Sequence, residues 1–385
     1  MKKRTLLVFS LLSLFIISCE KDGNVPETTP TDKDLAGVEV AVGENNGFDK
    51  LFVLNQGQMG KNNASLDFLD FKEKKYVLGA FRQMNPELVQ GLGDVANDIQ
   101  IASDKTAWMV VNCSNLIEVM NPANERHTIT IPVPQPRNIA FDKQSAFVTS
   151  WEGAKTEKGD RMRGTLYRFD RNSYDLSLAV GVGFNPEGVA CHDGKVYVAN
   201  SGGFQMDDNR LMIFNANTLV KEGEIKVTEN IKDVFIDKNG IAWVRALGNY
   251  ADVPSGIYAV DLARKQVIKR SPELESVRIS CMDMDREHGK LYIIGSFQEF
   301  DWSAAMKTYR LYIIDTQTSS VRARDFAFAG DPYYMAVNPS NGDLYVSNAK
   351  DYTNPGNLTC YDSNLKEKWS VTTGICPGQM ALYKK

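Results

Sequence analysis

Large amphipathic side chains recur in this chain at positions that read as loops. Phe297, Phe300, Trp302 and Tyr309 share one stretch, and Trp151, Phe204 and Tyr352 sit in others. Arg137, Asn138, Glu187, Tyr333 and Tyr334 precede short apolar runs, while Asn55, Asn112, Asn200 and Asn348 close such runs. Gln56, Asn97 and Arg245 lie beside them. Rings supply contact area, and amides and guanidinium groups supply directed hydrogen bonds, so this set suits a large, mostly uncharged polar ligand or a protein partner.

Catalytic chemistry is less well served. The three histidines, His127, His192 and His288, are far apart in sequence and fall in turns or at a strand start, so no His-rich metal site or Ser–His–Asp set is expected. Asp94, Glu187, Asp233 and Asp331 recur before apolar runs and leave open a carboxylate-lined mouth, which a lactonase-type or quinone-dependent enzyme would need. Asp207 and Asp208 are adjacent acids that read as a solvated loop rather than a Ca²⁺ site. The expectation is a binding protein, not an enzyme, with no cofactor or metal of its own.

The elements that must position these residues form a seven-fold echo. A short apolar strand ending in Asp or Asn recurs at Ala64–Asp70, Leu116–Asn121, Thr165–Asp170, Arg210–Asn215, Gly256–Asp261, Arg310–Asp315 and Asn357–Asp362. Another apolar strand precedes each, as in Leu51–Asn55 and Leu344–Asn348, and a third lies before that, around Ile99, Ile139, Val189, Val234, Met282, Met335 and Met380. Successive members of this last set are 40, 50, 45, 48, 53 and 45 residues apart, one four-stranded unit per repeat. The reading is all-β, a seven-bladed β-propeller.

The first repeat lacks an opening strand, and Gly378–Lys384 is an orphan at the far end. The C-terminal strand is therefore expected to complete the first blade and close the ring. Asp/Asn/Gly-rich tight turns such as Asp142–Lys143 and His192–Gly194 fall on one face. Long loops, among them 56–63, 152–164, 201–209, 247–255, 297–309 and 349–356, fall on the other, where binding is expected. The recurrent terminal Asp or Asn reads as turn capping.

The chain opens with Lys2, Lys3 and Arg4, an apolar stretch to Ile17, and Ile16-Ile17-Ser18-Cys19. This order of charge, apolar run, small residue and Cys is that of a lipobox. It predicts a signal peptide over residues 1–18, lipidation at Cys19 and a flexible tether over 19–47, with the propeller spanning 48–385. Two or more acyl chains make a stable membrane anchor. The acids after Cys19 favour the outer membrane's exposed surface. Removing residues 1–18 takes three basic residues from 44, so the charge becomes 41 − 48 = −7. With no Lys/Arg cluster, nucleic acid is not an expected partner. Besides Cys19, five irregularly spaced cysteines remain and read as buried thiols.

The stretch Leu51-FVLNQGQMGKNNASLDFLDF and the segments Asn185-Pro-Glu-Gly188, Asp331-Pro-Tyr-Tyr334 and Cys376-Pro-Gly-Gln379 resemble YncE-like seven-bladed propeller lipoproteins of Bacteroidetes. The resemblance covers roughly residues 48–385. Within that group are the BtuG-type surface lipoproteins. That resemblance implies capture of cobalamin (vitamin B12) or a related corrinoid and delivery to a TonB-dependent outer-membrane transporter. A glycan, another tetrapyrrole or a protein partner is the alternative. No corrinoid-binding motif carries over residue by residue, so the candidate site rests on loop position.

Overall fold

The computed structural model describes residues 35–43, 47–156, 161–249, 252–270, 274, 277–297 and 309–385. Cys19, Phe300 and Trp302 lie outside them, as do the expected signal peptide and most of the expected tether. Among the described residues, 29 strands form seven antiparallel sheets, the blades of a propeller around a central channel. The inner strands of blades two to seven are Ala96–Ile101, Pro136–Phe141, Pro186–His192, Ile231–Ile236, Val277–Asp285 and Met335–Val337. Blade one takes its inner strand, Pro377–Tyr383, from the other end of the chain.

The second strand of each blade is apolar on both faces because both faces are covered. In Lys50–Asn55, Phe52 and Leu54 pack toward blade two, while Leu51 and Val53 pack toward blade seven. Side chains alternate sides along a strand, so one run of six residues feeds two cores. Seven apolar clusters result, one at each junction between neighbouring blades. Outer strands read differently: Leu176–Gly181 is mostly exposed, as a sheet edge facing water tends to be. The five cysteines among the described residues are free thiols.

The recurrent Asp or Asn does the expected work in all seven blades. Asp70 accepts the N–H of Lys72 and Glu73, Asp170 those of Asn172 and Ser173, and Asp315 those of Gln317 and Thr318. Asn121, Asn215, Asp261 and Asp362 do the same. These bonds favour the ionised form and pull the Asp170 and Asp315 carboxyls below their ordinary range.

Two features differ from the sequence reading. Inside the segment 19–47 read as a tether, Val38–Glu39 adds a fifth strand to blade one, antiparallel to Lys75–Val77. Leu35, Val40 and Val42 are buried there, so the ordered domain starts before residue 48. A five-residue helix, Ala80–Met84, packs Ala80, Phe81 and Met84 into the junction between blades one and two. Both elements are too short to leave a periodic pattern.

Closure fixes a test. Deleting residues 376–385 should abolish the single cooperative urea transition of the domain rather than shave its stability, because it strips the partner of Lys50–Asn55. Phe52→Ala, which empties a fully buried ring site, should instead leave a cooperative transition lowered by about 3–5 kcal/mol.

Candidate functional site

The channel encloses a cavity of about 2220 Å³, well above the few hundred to one thousand Å³ of an ordinary small-molecule pocket. Its lining comes from the inner strands and from both ends of the channel, including Asp142, Lys143, His192 and Asp237 at the tight-turn end. The way those strands enter is systematic. In five blades the residue before the inner strand has a left-handed backbone: Val95, Gln135, Asn185, Asn230 and Cys376. Then the pairing with the second strand slips, in blades one to six, so that extra residues stand opposite a single partner. The slipped positions are Gly378 and Gln379, Asn97, Arg137 and Asn138, Glu187 and Gly188, Lys232, and Ser280. All of them but Gly378 line the channel. A β-bulge re-aims a side chain that regular pleating would send into the blade junction. Gly188 is needed at its bulge because a Cβ there would stand 2.6 Å from the Lys232 carbonyl of the next blade.

The charges at this mouth are committed to one another. Arg137 meets the Glu187 carboxylate through Nη2 at 3.1 Å and Nε at 3.2 Å, and its guanidinium lies 4.1 Å from the Trp151 ring centre. Arg245 pairs with Asp233 and donates from Nη1 to the Ser280 carbonyl at 2.8 Å. Tyr309 is hydrogen-bonded to Asp331. Asp94 accepts the Gly60 N–H at 2.7 Å. The four carboxylates that left a metal-binding mouth open thus have separate local partners. No group of three or more metal-ligating side chains occurs among the described residues. Asp207 and Asp208 are likewise paired, with Arg161 and Arg210.

Tyrosines form the other wall. Tyr333 donates to Gln56 Oε1 at 2.7 Å and meets Tyr334 and Tyr352 edge to face, with ring centres 5.4 and 5.6 Å away. Burial pushes the Tyr309, Tyr333 and Tyr334 phenols above their usual range, so all three stay protonated at neutral pH.

Of the residues expected from loop position, Gln56, Asn97, Arg137, Asn138, Glu187, Arg245, Tyr309, Tyr333, Tyr334, Asn348 and Tyr352 line the cavity. Tyr309 does so as the buried first residue of a strand, Tyr309–Asp315, rather than from a loop. Phe297 ends the strand Lys290–Phe297. Asn55, Asn112 and Asn200 are buried within the blades instead. Asn112 donates to the Pro136 carbonyl at 3.0 Å, Asn200 to the Arg210 carbonyl at 2.9 Å, and Asn55 to Ser65 Oγ at 3.1 Å. Trp151 backs Arg137, and Phe204 is 98% exposed outside the cavity lining. Asp98 and Ser280 line the channel and were not anticipated. Ser280 is itself a slipped residue and Asp98 follows one, and a bulge has no signature in composition.

Neither a family model nor a curated protein sequence matches the chain. Solved structures do match in fold. A quinoprotein alcohol dehydrogenase-like protein from Bacteroides thetaiotaomicron aligns with a TM-score of 0.63 at 14% identity, over 88% of this chain and 79% of that one. A functionally unknown protein from Desulfotomaculum acetoxidans gives 0.62 at 11% identity, over 87% and 99%. Hydrazine synthase from Kuenenia stuttgartiensis gives 0.60 at 15% identity, over 73% and 87%. At such identities the likeness establishes the propeller fold alone.

One buried group gives the site a pH signature. Asp98 is 3% exposed, and burial raises its carboxyl to about 6, although it accepts the Ile139 N–H of blade three at 3.0 Å. Between pH 4 and 6 the folded protein therefore keeps a proton that the unfolded chain has released. The stability tied to this group is full below pH 4 and falls as pH rises to 6, by up to about 3 kcal/mol. Asp98→Asn mimics the protonated form, so urea midpoints should show the variant gaining on the wild type from pH 4 to pH 7.

Proposed function

We propose that this chain is a lipid-anchored, outer-membrane surface protein that captures cobalamin or a related corrinoid at the long-loop mouth and delivers it to a TonB-dependent transporter. The observation that carries the reading is the set of six bulges. They aim amide, guanidinium and hydroxyl groups from different blades into one cavity large enough for a macrocycle. The chemistry of the mouth agrees. Its principal cations and anions are already paired, so it is polar without presenting a strong field of either sign. Its tyrosines are neutral donors beside ring faces. A ligand with many amide arms on a broad ring system meets such a surface with hydrogen bonds and stacking, and needs no metal or histidine from the protein. The mouth carboxylates are committed to local partners, which suits a binding surface. The lipobox at Cys19 and the family resemblance support the anchor and the transport role.

Calorimetric titration of cyanocobalamin into protein starting after Cys19 should give one-to-one binding. Tyr352→Ala removes a half-exposed ring at the mouth and should weaken it about 5- to 30-fold without altering the unfolding transition. Wild-type affinity in Tyr352→Ala would refute the site. No heat from cyanocobalamin, with heat from a glycan in a parallel panel, would refute the ligand.

A further inference from the structure

The basic residues of this acidic chain are not spread evenly around the channel. At its tight-turn end, the inner strands of four consecutive blades end in or beside a basic side chain. These are Lys143 in blade three, His192 in blade four, Lys238 in blade five and Arg286 in blade six, and all four line the cavity. Three of them directly follow an Asp, in Asp142-Lys143, Asp237-Lys238 and Asp285-Arg286.

The Asp of each pair is spent on its own turn. Asp142 accepts the N–H of Gln144 at 2.8 Å and of Ser145 at 2.7 Å. Asp237 accepts those of Asn239 at 2.8 Å and Ile241 at 3.1 Å, and the Trp243 indole N–H at 3.0 Å. Asp285 accepts the His288 N–H at 2.9 Å. The cation that follows is left over. Among the described residues, no hydrogen bond or ion pair engages the side-chain nitrogens of Lys143, Lys238 or Arg286. Blade two has the same dipeptide, Asp104-Lys105, but Lys105 Nζ donates to the Lys384 carbonyl at 2.7 Å and lies outside the cavity lining. Blade seven has Asn338-Pro339 there instead. The positive arc therefore spans blades three to six and stops. At the mouth, by contrast, Arg137 and Arg245 are cancelled by Glu187 and Asp233.

Arg286 is the most telling member. Solvent in the channel reaches it, yet desolvation by the surrounding protein pulls its guanidinium below the ordinary range, and Asp283 offsets only part of that. Asp283 is itself engaged, accepting the N–H groups of Met284 and Val337, each at 2.8 Å. The guanidinium lies 6.0 Å from the Phe235 ring centre. An arginine stays charged in a protein, so its donors stand in the channel with no acceptor among the described residues. An anion in the channel would supply one.

We propose that the tight-turn end of the channel is a second binding site, for a phosphate-bearing ligand held by the Arg286 fork together with Lys143 and Lys238. The site does not rest on the ligand at the mouth. A phosphate group suits it because several oxygens and more than one negative charge can meet cations from different blades at once, while the planar fork takes two oxygens side by side. A soluble phosphate compound and a lipid headgroup share that chemistry.

Inorganic pyrophosphate is the probe for a soluble ligand, titrated calorimetrically into the full-length protein in maltoside detergent at low salt. The expected result is saturable binding, weakened about 10- to 100-fold by Arg286→Gln and to a lesser degree by Lys143→Gln or Lys238→Gln. Arg286→Lys keeps the charge without the fork and should lose part of the affinity. Lys105→Gln and Tyr352→Ala should bind as the wild type does, the latter separating this site from the mouth. Phosphatidylglycerol doped into the micelles distinguishes the sources: displacement of pyrophosphate assigns the site to headgroups, and no displacement assigns it to soluble phosphates. Absence of saturable binding of either probe would overturn the proposal. So would wild-type affinity in Lys143→Gln/Lys238→Gln/Arg286→Gln, or a loss in Lys105→Gln equal to that in Arg286→Gln.

Discussion

Every blade depends on a pairing made between the two ends of the chain. Pro377–Tyr383 runs antiparallel to Lys50–Asn55, setting Leu382 against Leu51 and Met380 against Val53. Without it, blade one would offer an unpaired apolar edge, and the junction between blades one and seven would lose a wall. Closure costs chain entropy, but that cost grows only as the logarithm of loop length. The strand it brings in supplies a row of hydrogen bonds and several fully buried side chains.

Closure creates a second requirement at the centre. Seven inner strands stand around an open channel, each with one edge that no strand pairs. Side chains from adjacent blades satisfy part of that edge. Asp98 accepts the Ile139 N–H, Asp283 accepts the Val337 N–H at 2.8 Å, and Thr149 donates to the Glu187 carbonyl at 2.7 Å. Ser347 donates to the Pro377 carbonyl at 2.7 Å. These bonds tie blades together at their narrowest point. They also explain why buried carboxylates are tolerated there: each receives backbone N–H donors that offset part of its desolvation. The bulges next to them turn the remaining polar residues into the channel.

The fold was legible because its signals are repeated and two-sided. Strands such as Lys50–Asn55 are apolar throughout, and the Asp or Asn that follows the third strand needs only its own turn to act. The orphan Gly378–Lys384 announced closure by being left over. The candidate site was legible in part. Position on the long-loop side found Arg137, Glu187 and the tyrosines. It could not distinguish Asn97, which a bulge turns into the channel, from Asn200, which bonds to the Val198 and Arg210 carbonyls inside its blade. Both are Asn beside an apolar run, and the difference lies in strand register, which composition does not carry. Asp98 escaped for the same reason. Val38–Glu39 escaped because two residues make no period.

The seven apolar cores are separate, each walled off from the next by a sheet. Strain or loss of a side chain in one core is therefore felt mainly by the two blades that share it, as in a one-dimensional array of neighbours. The array here is a ring with no terminal unit to fray. Opening one junction leaves six others holding the same circle, so partial openings are reversible excursions rather than the first step of unravelling. A protein built this way can let individual mouth loops change sequence, and hence ligand, one blade at a time.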